Sequence, residues 1–259
     1  MKKRYIRHAS ELVTCKGSAP KHGKEMSDIG LIKDGAVIIH DDKIVAVGTT
    51  EELDKQINNE YEVIDATGKT VMPGFVDSHT HFIFGGYRAD EFSWRLKGDS
   101  YISIMERGGG INATVVPTRE ASLEELMETG EERLNRMLEF GVTTVEGKSG
   151  YGMDRETELK MLRAMKNLNE KHPVDIVSTF LGPHSVLPEW KGKEKEFLDE
   201  QLNHVMPIVK EEGLAEFADI FTEKNVFSVE DSEYYMTKAK EMGFKLKIHA
   251  DEIYQLGGS

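Results

Sequence analysis

The stretch PGFVDSHTHF, Pro73 to Phe82, decides how the chain is to be read. Pro73 and Gly74 open it, Phe75 and Val76 are apolar, and His79 and His81 stand two residues apart before Phe82 and Ile83. Side chains alternate faces along a strand, so the two histidines share a face, separated by two rises of roughly 3.3 Å each. That spacing suits two imidazoles on one metal ion. A pair of hydrogen-bonded structural histidines is the open alternative. Asp77, Ser78 and Thr80 either hold the imidazoles through their second nitrogens or serve as turn and cap residues.

Upstream, Leu31 to Val47 carries short β-branched runs broken by Asp-Gly and Asp-Asp, which reads as antiparallel strands with tight turns. Tyr61 to Met72 continues in that style. Beyond Pro73 apolar strand-like runs alternate with helical patterns, the signature of βα units and a parallel sheet. The reading is therefore a small β domain over 1–72 and an α/β domain over 73–259. Five strands are expected: Gly74 to Phe84, Val142 to Lys148, Asp175 to Leu181, Phe217 to Thr222 and Phe244 to His249. Ser122 and Glu125 make a capping box ahead of Leu126, Leu134 and Leu138 at helical spacing. Ser228 opens a further helix that Gly243 closes, and Leu159, Leu162, Met165 and Leu168 form an apolar stripe.

A closed eight-stranded barrel takes about 250 residues, more than the chain holds after Pro73. The expectation is an incomplete barrel of about five βα units with a C-terminal part to follow, since HADEIYQLGGS stops just past a strand. A complete five-stranded open sheet is the alternative, and it would leave an edge to cover.

The 259 residues are 39% hydrophobic and 31% charged, with a formal charge of −13. That charge repels nucleic acid and anionic membranes, so the expected partner is a small molecule, with neither nucleic acid nor membrane. No run is apolar over the roughly 18 residues of a membrane span. The lone Cys15 excludes an internal disulfide, and with no apolar run after the basic N-terminus the expected location is cytoplasmic.

Other strand ends are polar in ways that packing does not explain. His249 ends the fifth strand as His79 and His81 end the first, and parallel strands bring such ends together. Three imidazoles leave zinc or iron an open position for water. The second strand ends in EGKSGYG, offering Glu146, Lys148 and Tyr151, and the third ends in GPH, offering His184. Arg88 has the bidentate geometry for a substrate carboxylate, or else pairs with Asp90 or Glu91. Asp251 and Glu252 either move protons or meet a helix dipole, and for Asp251 the helix N-terminus is the preferred reading. Lys148 is either half of a structural ion pair or a carbamylated bridge between two metals. Gly108-Gly109-Gly110 fails the phosphate-loop pattern and reads as a mobile loop beside the site.

PGFVDSHTH after a small β domain resembles the amidohydrolase superfamily. HTHFIFGGYRADEF, RGGGI, GVTTVEGKSGYG, ETELKMLR, FLGPH and HADE together resemble the imidazolonepropionase family, almost continuously from Asp65 to Ser259. The resemblance implies a (β/α)8 TIM-like barrel of the amidohydrolase type with a small N-terminal β-sandwich domain. It implies hydrolysis of the cyclic amide of 4-imidazolone-5-propanoate to N-formimidoyl-L-glutamate in histidine degradation, with one divalent or trivalent ion, Zn or Fe. His79, His81 and His249 become metal ligands, and a fourth, an aspartate from the last barrel strand, lies beyond this sequence. Arg88, Tyr151, His184 and Glu252 become substrate contacts, with His184 and Glu252 catalytic, and the family suggests a homodimer. A metal-dependent purine or pyrimidine deaminase and an inactive binding fragment remain the alternatives.

Overall fold

Lys3–Val13 forms β1, a strand that the charged text KRYIRHASELV conceals. Its buried residues are Tyr5, Ala9 and Leu12, spaced by four and three rather than two. A register shift between Ile6 and Ala9, with His8 at φ +54°, interrupts the alternation expected of a half-buried strand, and Tyr5 packs with Ala36 and Ile38 whereas Ala9 and Leu12 pack with Val37 and Ala66. β2 (Leu31–His40) lies antiparallel to β1 and to β3 (Lys43–Thr49), with Asp41 at φ +52° between β2 and β3. β4 (Tyr61–Asp65) and β5 (Thr70–Val71) pair with β1 in the parallel sense, which corrects the antiparallel reading of that segment. A short helix, Thr50–Asp54, is opened by a Thr49–Glu52 capping box, and the hydroxyl of the buried Tyr5 donates to Asp54 Oδ1 at 2.9 Å. The described residues of this unit form one five-stranded sheet.

This computed structural model describes residues 2–100, 103–104 and 107–259. The chain divides into two units, Met1–Gly74 and Phe75–Ser259.

The second unit is a parallel sheet in the order β11-β9-β8-β7-β6, a spatial sequence that follows chain order. β6 is Phe75–Thr80, β7 Val142–Lys148 and β8 Asp175–Phe180. The fourth and fifth expected strands are each split. β9 (Phe217–Ala218) pairs with β11 (Lys245–Leu246), and β10 (Phe221–Thr222) pairs with β12 (His249–Ala250). Backbone hydrogen bonds from Lys247 to Ala218 (2.9 Å) and from His249 to Ile220 (3.0 Å) carry the pairing across the breaks. β6 lies at one edge, so Phe75 and Val76 are exposed, unlike strands covered on both faces.

Helices pack this sheet. Leu123–Glu139 carries the expected Ser122–Glu125 capping box and buries Leu126 and Leu134. Arg155–Asn169 buries Leu159, Leu162, Met165 and Leu168 as its apolar stripe predicts. Val229–Glu241 starts at a Ser228–Asp231 capping box and gives way to Gly243 at φ +88°. Gly108 and Gly110 have positive φ, and Gly110 opens the helix Ile111–Glu120 while its N–H donates to Glu91 Oε1 at 2.8 Å. The run thus leads into a helix.

Gly85 shows how closely the segment after β6 is packed. A Cβ there would lie 2.4 Å from the Pro117 carbonyl oxygen and 2.7 Å from its carbon, so backbone would have to move. Gly85→Ala is expected to destabilise this unit by about 1–3 kcal/mol, as overpacking does, and urea denaturation would measure it. An unchanged midpoint would mean that the loop yields freely.

Candidate metal centre

β6 ends by delivering His79 and His81, and β12, from the other end of the chain, delivers His249. One ring nitrogen from each lies within 4.8 Å of the others. His79 Nε2 and His249 Nε2 are 3.1 Å apart. Two nitrogens bound at ~2.0–2.1 Å to a tetrahedral ion sit about 3.3 Å apart, so the observed pair has the spacing of two ligands on one cation. Nδ1 of His81 is buried without a hydrogen-bond partner among the described residues, which fits an atom meant for a ligand. Imidazole suits zinc and iron alike. The three residues therefore fit a metal ion.

Protonation favours the same use, because a ligating imidazole must be neutral. Burial, reinforced by His184 and His249, pushes the His81 imidazolium far below the usual histidine range. Burial, with His249 nearby, lowers His79 as well. Two clamps hold this segment. Arg133, on the helix Leu123–Glu139, donates from one terminal nitrogen to Phe82 O (2.7 Å) and Phe84 O (3.0 Å). Thr80 Oγ1 donates to Glu146 O at 2.6 Å. Among the described residues Asp77 accepts from the His79 backbone alone, and none of Asp77, Ser78 and Thr80 bonds an imidazole, which leaves them as turn and strand residues.

Beneath the histidines lies a buried charged cluster. Lys148 Nζ donates to Glu146 Oε1 (2.7 Å) and Asp219 Oδ2 (2.9 Å), with all three side chains 3% exposed or less. Lys247 also reaches Glu146 Oε1 at 2.7 Å, and Thr179 Oγ1 donates to it at 2.6 Å. Burial alone would raise both carboxyls; the lysine contacts, with His249 for Asp219, hold each below its usual range. Two cations face two anions, so Lys148 is read as an ammonium in a structural ion pair. A carbamylated, anionic Lys148 would place a third negative charge between two carboxylates.

Asp219 was absent from the sequence reading, although a charge inside the apolar run FADIF was a usable signal. Its Oδ2 lies 3.0 Å from His249 Nδ1, an ion-pair distance whose angle falls outside hydrogen-bond geometry. From there the carboxylate can orient a ligating imidazole.

Tyr151 and His184 adjoin the three histidines. The His184 ring stacks on His81 with centroids 4.8 Å apart and planes 6° apart, and Tyr151 lies 5.5 Å from His81 and 5.3 Å from His184. Burial pushes His184 down to about 3. Its Nδ1 is 2.9 Å from Gly150 O, which can only accept, so the neutral ring carries its proton on Nδ1 and keeps Nε2 as an acceptor. Burial also raises the Tyr151 phenol, which stays a donor at neutral pH.

Arg88 is exposed, starts the helix Ala89–Leu96, and makes no ion pair among the described residues. Asp90 and Glu91 do not take it, which removes the structural alternative. Its charge lowers the Tyr151 phenol, though burial outweighs it. Glu252 is exposed and makes no hydrogen bond or ion pair among the described residues. Asp251 does not begin a helix: at φ +55° it accepts from the backbones of Leu256 (2.7 Å), Gly257 (2.9 Å) and Ser259 (3.1 Å), closing a turn. This overturns the helix N-terminal reading.

Comparison with known proteins places these residues in context. An amidohydrolase family model matches residues 62–114. The chain is 54% identical over 255 residues to an imidazolonepropionase of Parabacteroides distasonis and 52% identical over 255 residues to that of Clostridium tetani, covering 98% of this chain and 61% of each relative. It thus spans about three fifths of their length. Among solved structures, the atrazine chlorohydrolase from Arthrobacter aurescens TC1, complexed with zinc, matches with a TM-score of 0.63 at 17% identity, over 96% of this chain and 53% of that one. That likeness shows the fold alone, and the parallel sheet described above fits a partial barrel. No described helix is long and apolar enough to cross a membrane.

Proposed function

From a chain that belongs to the imidazolonepropionase family of the amidohydrolases, we propose that the whole protein opens 4-imidazolone-5-propanoate with water. The ring amide C–N bond breaks, hydroxyl adds to the carbonyl carbon, and the proton goes to the departing nitrogen, giving N-formimidoyl-L-glutamate. The observation that carries the reading is the meeting of His79, His81 and His249 within 4.8 Å, beside Tyr151 and His184.

His79, His81 and His249 would hold one zinc or iron ion, with Asp219 orienting His249. When bound, such an ion supplies Lewis acidity toward a carbonyl and lowers the pKa of water. Arg88, which makes no ion pair among the described residues, binds the propanoate. His184 Nε2, left as an acceptor by the Gly150 contact, receives a ring N–H and so orients the imidazolone rather than donating to its oxygen. The Tyr151 hydroxyl supplies the donor. Glu252, three residues past His249 and without an ion pair among the described residues, takes up and returns a proton. In the whole protein we expect the parallel sheet to close as an eight-stranded barrel, the N-terminal sheet to become part of a β-sandwich, and the enzyme to be a cytoplasmic homodimer.

Full-length, metal-loaded protein given 4-imidazolone-5-propanoate is expected to bleach its ultraviolet absorbance and yield N-formimidoylglutamate, and to stop after chelation. Absence of turnover by a metal-loaded sample would sink the proposal. Release of ammonia from a purine or pyrimidine would replace it with deamination.

A further inference from the structure

The loop after β7 has a demanding backbone. Gly150 lies at φ +106° and Met153 at φ +53°, and their N–H groups, with that of Gly152, are turned inward and need acceptors. One side chain answers all three. Glu158, on the helix Arg155–Asn169, is fully buried; its Oε1 accepts from Gly152 (2.8 Å), Met153 (2.9 Å) and Gly150 (3.2 Å), and its Oε2 accepts from Gly150 at 3.0 Å.

The contacts continue into the next strand end. Ser149, next in the chain to Gly150, accepts through its hydroxyl from the Leu181 N–H at 3.0 Å, where the LGPH turn begins. That turn carries His184, whose Nδ1 donates back to Gly150 O at 2.9 Å. The loop bearing Tyr151 and the turn bearing His184 are thereby joined in a closed ring of hydrogen bonds. There is no slack in it: a Cβ on Gly150 would lie 2.7 Å from Leu181 O and 2.8 Å from His184 Nδ1.

Nothing in helix packing calls for an acid here. Among the described residues Glu158 has no cationic partner, and burial raises its carboxyl. The neighbouring buried positions, Leu159 and Leu162, are apolar, and an apolar side chain at this one would avoid the desolvation cost. A buried carboxyl kept at that cost has its use in the loop it organises.

We propose that Glu158 is a positioning residue, whose carboxyl fixes the loop 149–153 and, through Ser149 and Gly150, the turn 181–184, so that Tyr151 and His184 meet the substrate in one geometry. The inference rests on the reading of Tyr151 and His184 as substrate contacts.

The test uses full-length, metal-loaded protein with Glu158→Gln, which keeps the size but replaces one acceptor by a donor, and Ser149→Ala, which spares the fold if the first variant does not. Misplacing substrate contacts by about 1 Å costs up to ~10²-fold. Glu158→Gln is expected to lower kcat/KM for 4-imidazolone-5-propanoate by about that factor, with KM raised about tenfold. Ser149→Ala is expected to show a smaller loss in the same direction, and bound metal per protein should stay at the parent level in both. The Gly150, Gly152 and Met153 amides should lose hydrogen-exchange protection. Folded variants with parent kcat and KM would overturn the proposal, leaving Glu158 a stability residue. Should the parent protein fail to turn over this substrate, the proposed reaction fails, and exchange alone decides the present inference: undiminished protection in the folded variants would overturn it.

Discussion

Full-length protein carrying His81→Ala is expected to lose its metal on dialysis and, with it, turnover. His81 offers a buried ring nitrogen without a hydrogen-bond partner, and its imidazole is held neutral by burial. The neighbouring His79 and His249 nitrogens, 3.1 Å apart, would remain as a two-ligand set. Removing only an outer hydrogen bond to a ligating histidine costs roughly 10–100-fold in metal affinity. Losing the ligand itself should cost more than about 10³-fold in affinity, with activity falling in parallel. Removing an imidazole whose buried nitrogen has no partner also removes an unsatisfied polar group, so the metal-free protein should unfold close to its parent. Metal analysis after dialysis, beside a thermal melt of the metal-free forms, separates these effects. Retention of one ion per chain by the variant would move the metal centre elsewhere.

Lys148→Met should act through stability first. Lys148 lies between Glu146 and Asp219 at 2.7 and 2.9 Å, all three buried. Removing one partner of a buried ion pair costs about 3–5 kcal/mol because it strands charge. In a unit of this size that is roughly 6–20 °C in melting temperature. Glu146 keeps Lys247 and Thr179, so Asp219 is the more exposed to the loss. The double variant Lys148→Met, Asp219→Asn, which removes the stranded charge, should recover part of the stability while weakening metal binding about 10–100-fold through loss of the group beside His249. Denaturation with metal titration on both variants checks both halves. A single variant as stable as its parent would show that the cluster is not held by Lys148.

The metal reading of the same site was legible because its signals are local. HTH needs only strand alternation to place two imidazoles on one face, and HADE places a third at another strand end. The helices were legible too, since Ser122–Glu125 and the Leu159–Leu168 stripe state their own start and buried face. β1 was not, because the bulge at His8 broke the period of two and left Tyr5, Ala9 and Leu12 at the four-and-three spacing of a helix face. The parallel sense of β4 and β5 escaped for another reason: strand direction depends on the route of the chain between them.

What remained for the tertiary structure was pairing between distant residues. Lys148 and Asp219 are 71 positions apart, and His79 and His249 are 170 apart. Lys148 could be a bridging ligand or half of an ion pair until the sheet set Asp219 and Glu146 against it. Glu158 passed for an ordinary helix residue until the loop beside it was seen to turn three N–H groups inward. The tautomer of His184 was open until Gly150 O fixed its proton on Nδ1. The sequence by itself determined which chemical groups stand at the strand ends, because residue type and periodicity are properties of a short stretch. The protonation, charge state and bearing of those groups were decided only by the fold, because each depends on a partner that the parallel sheet brings in from far along the chain.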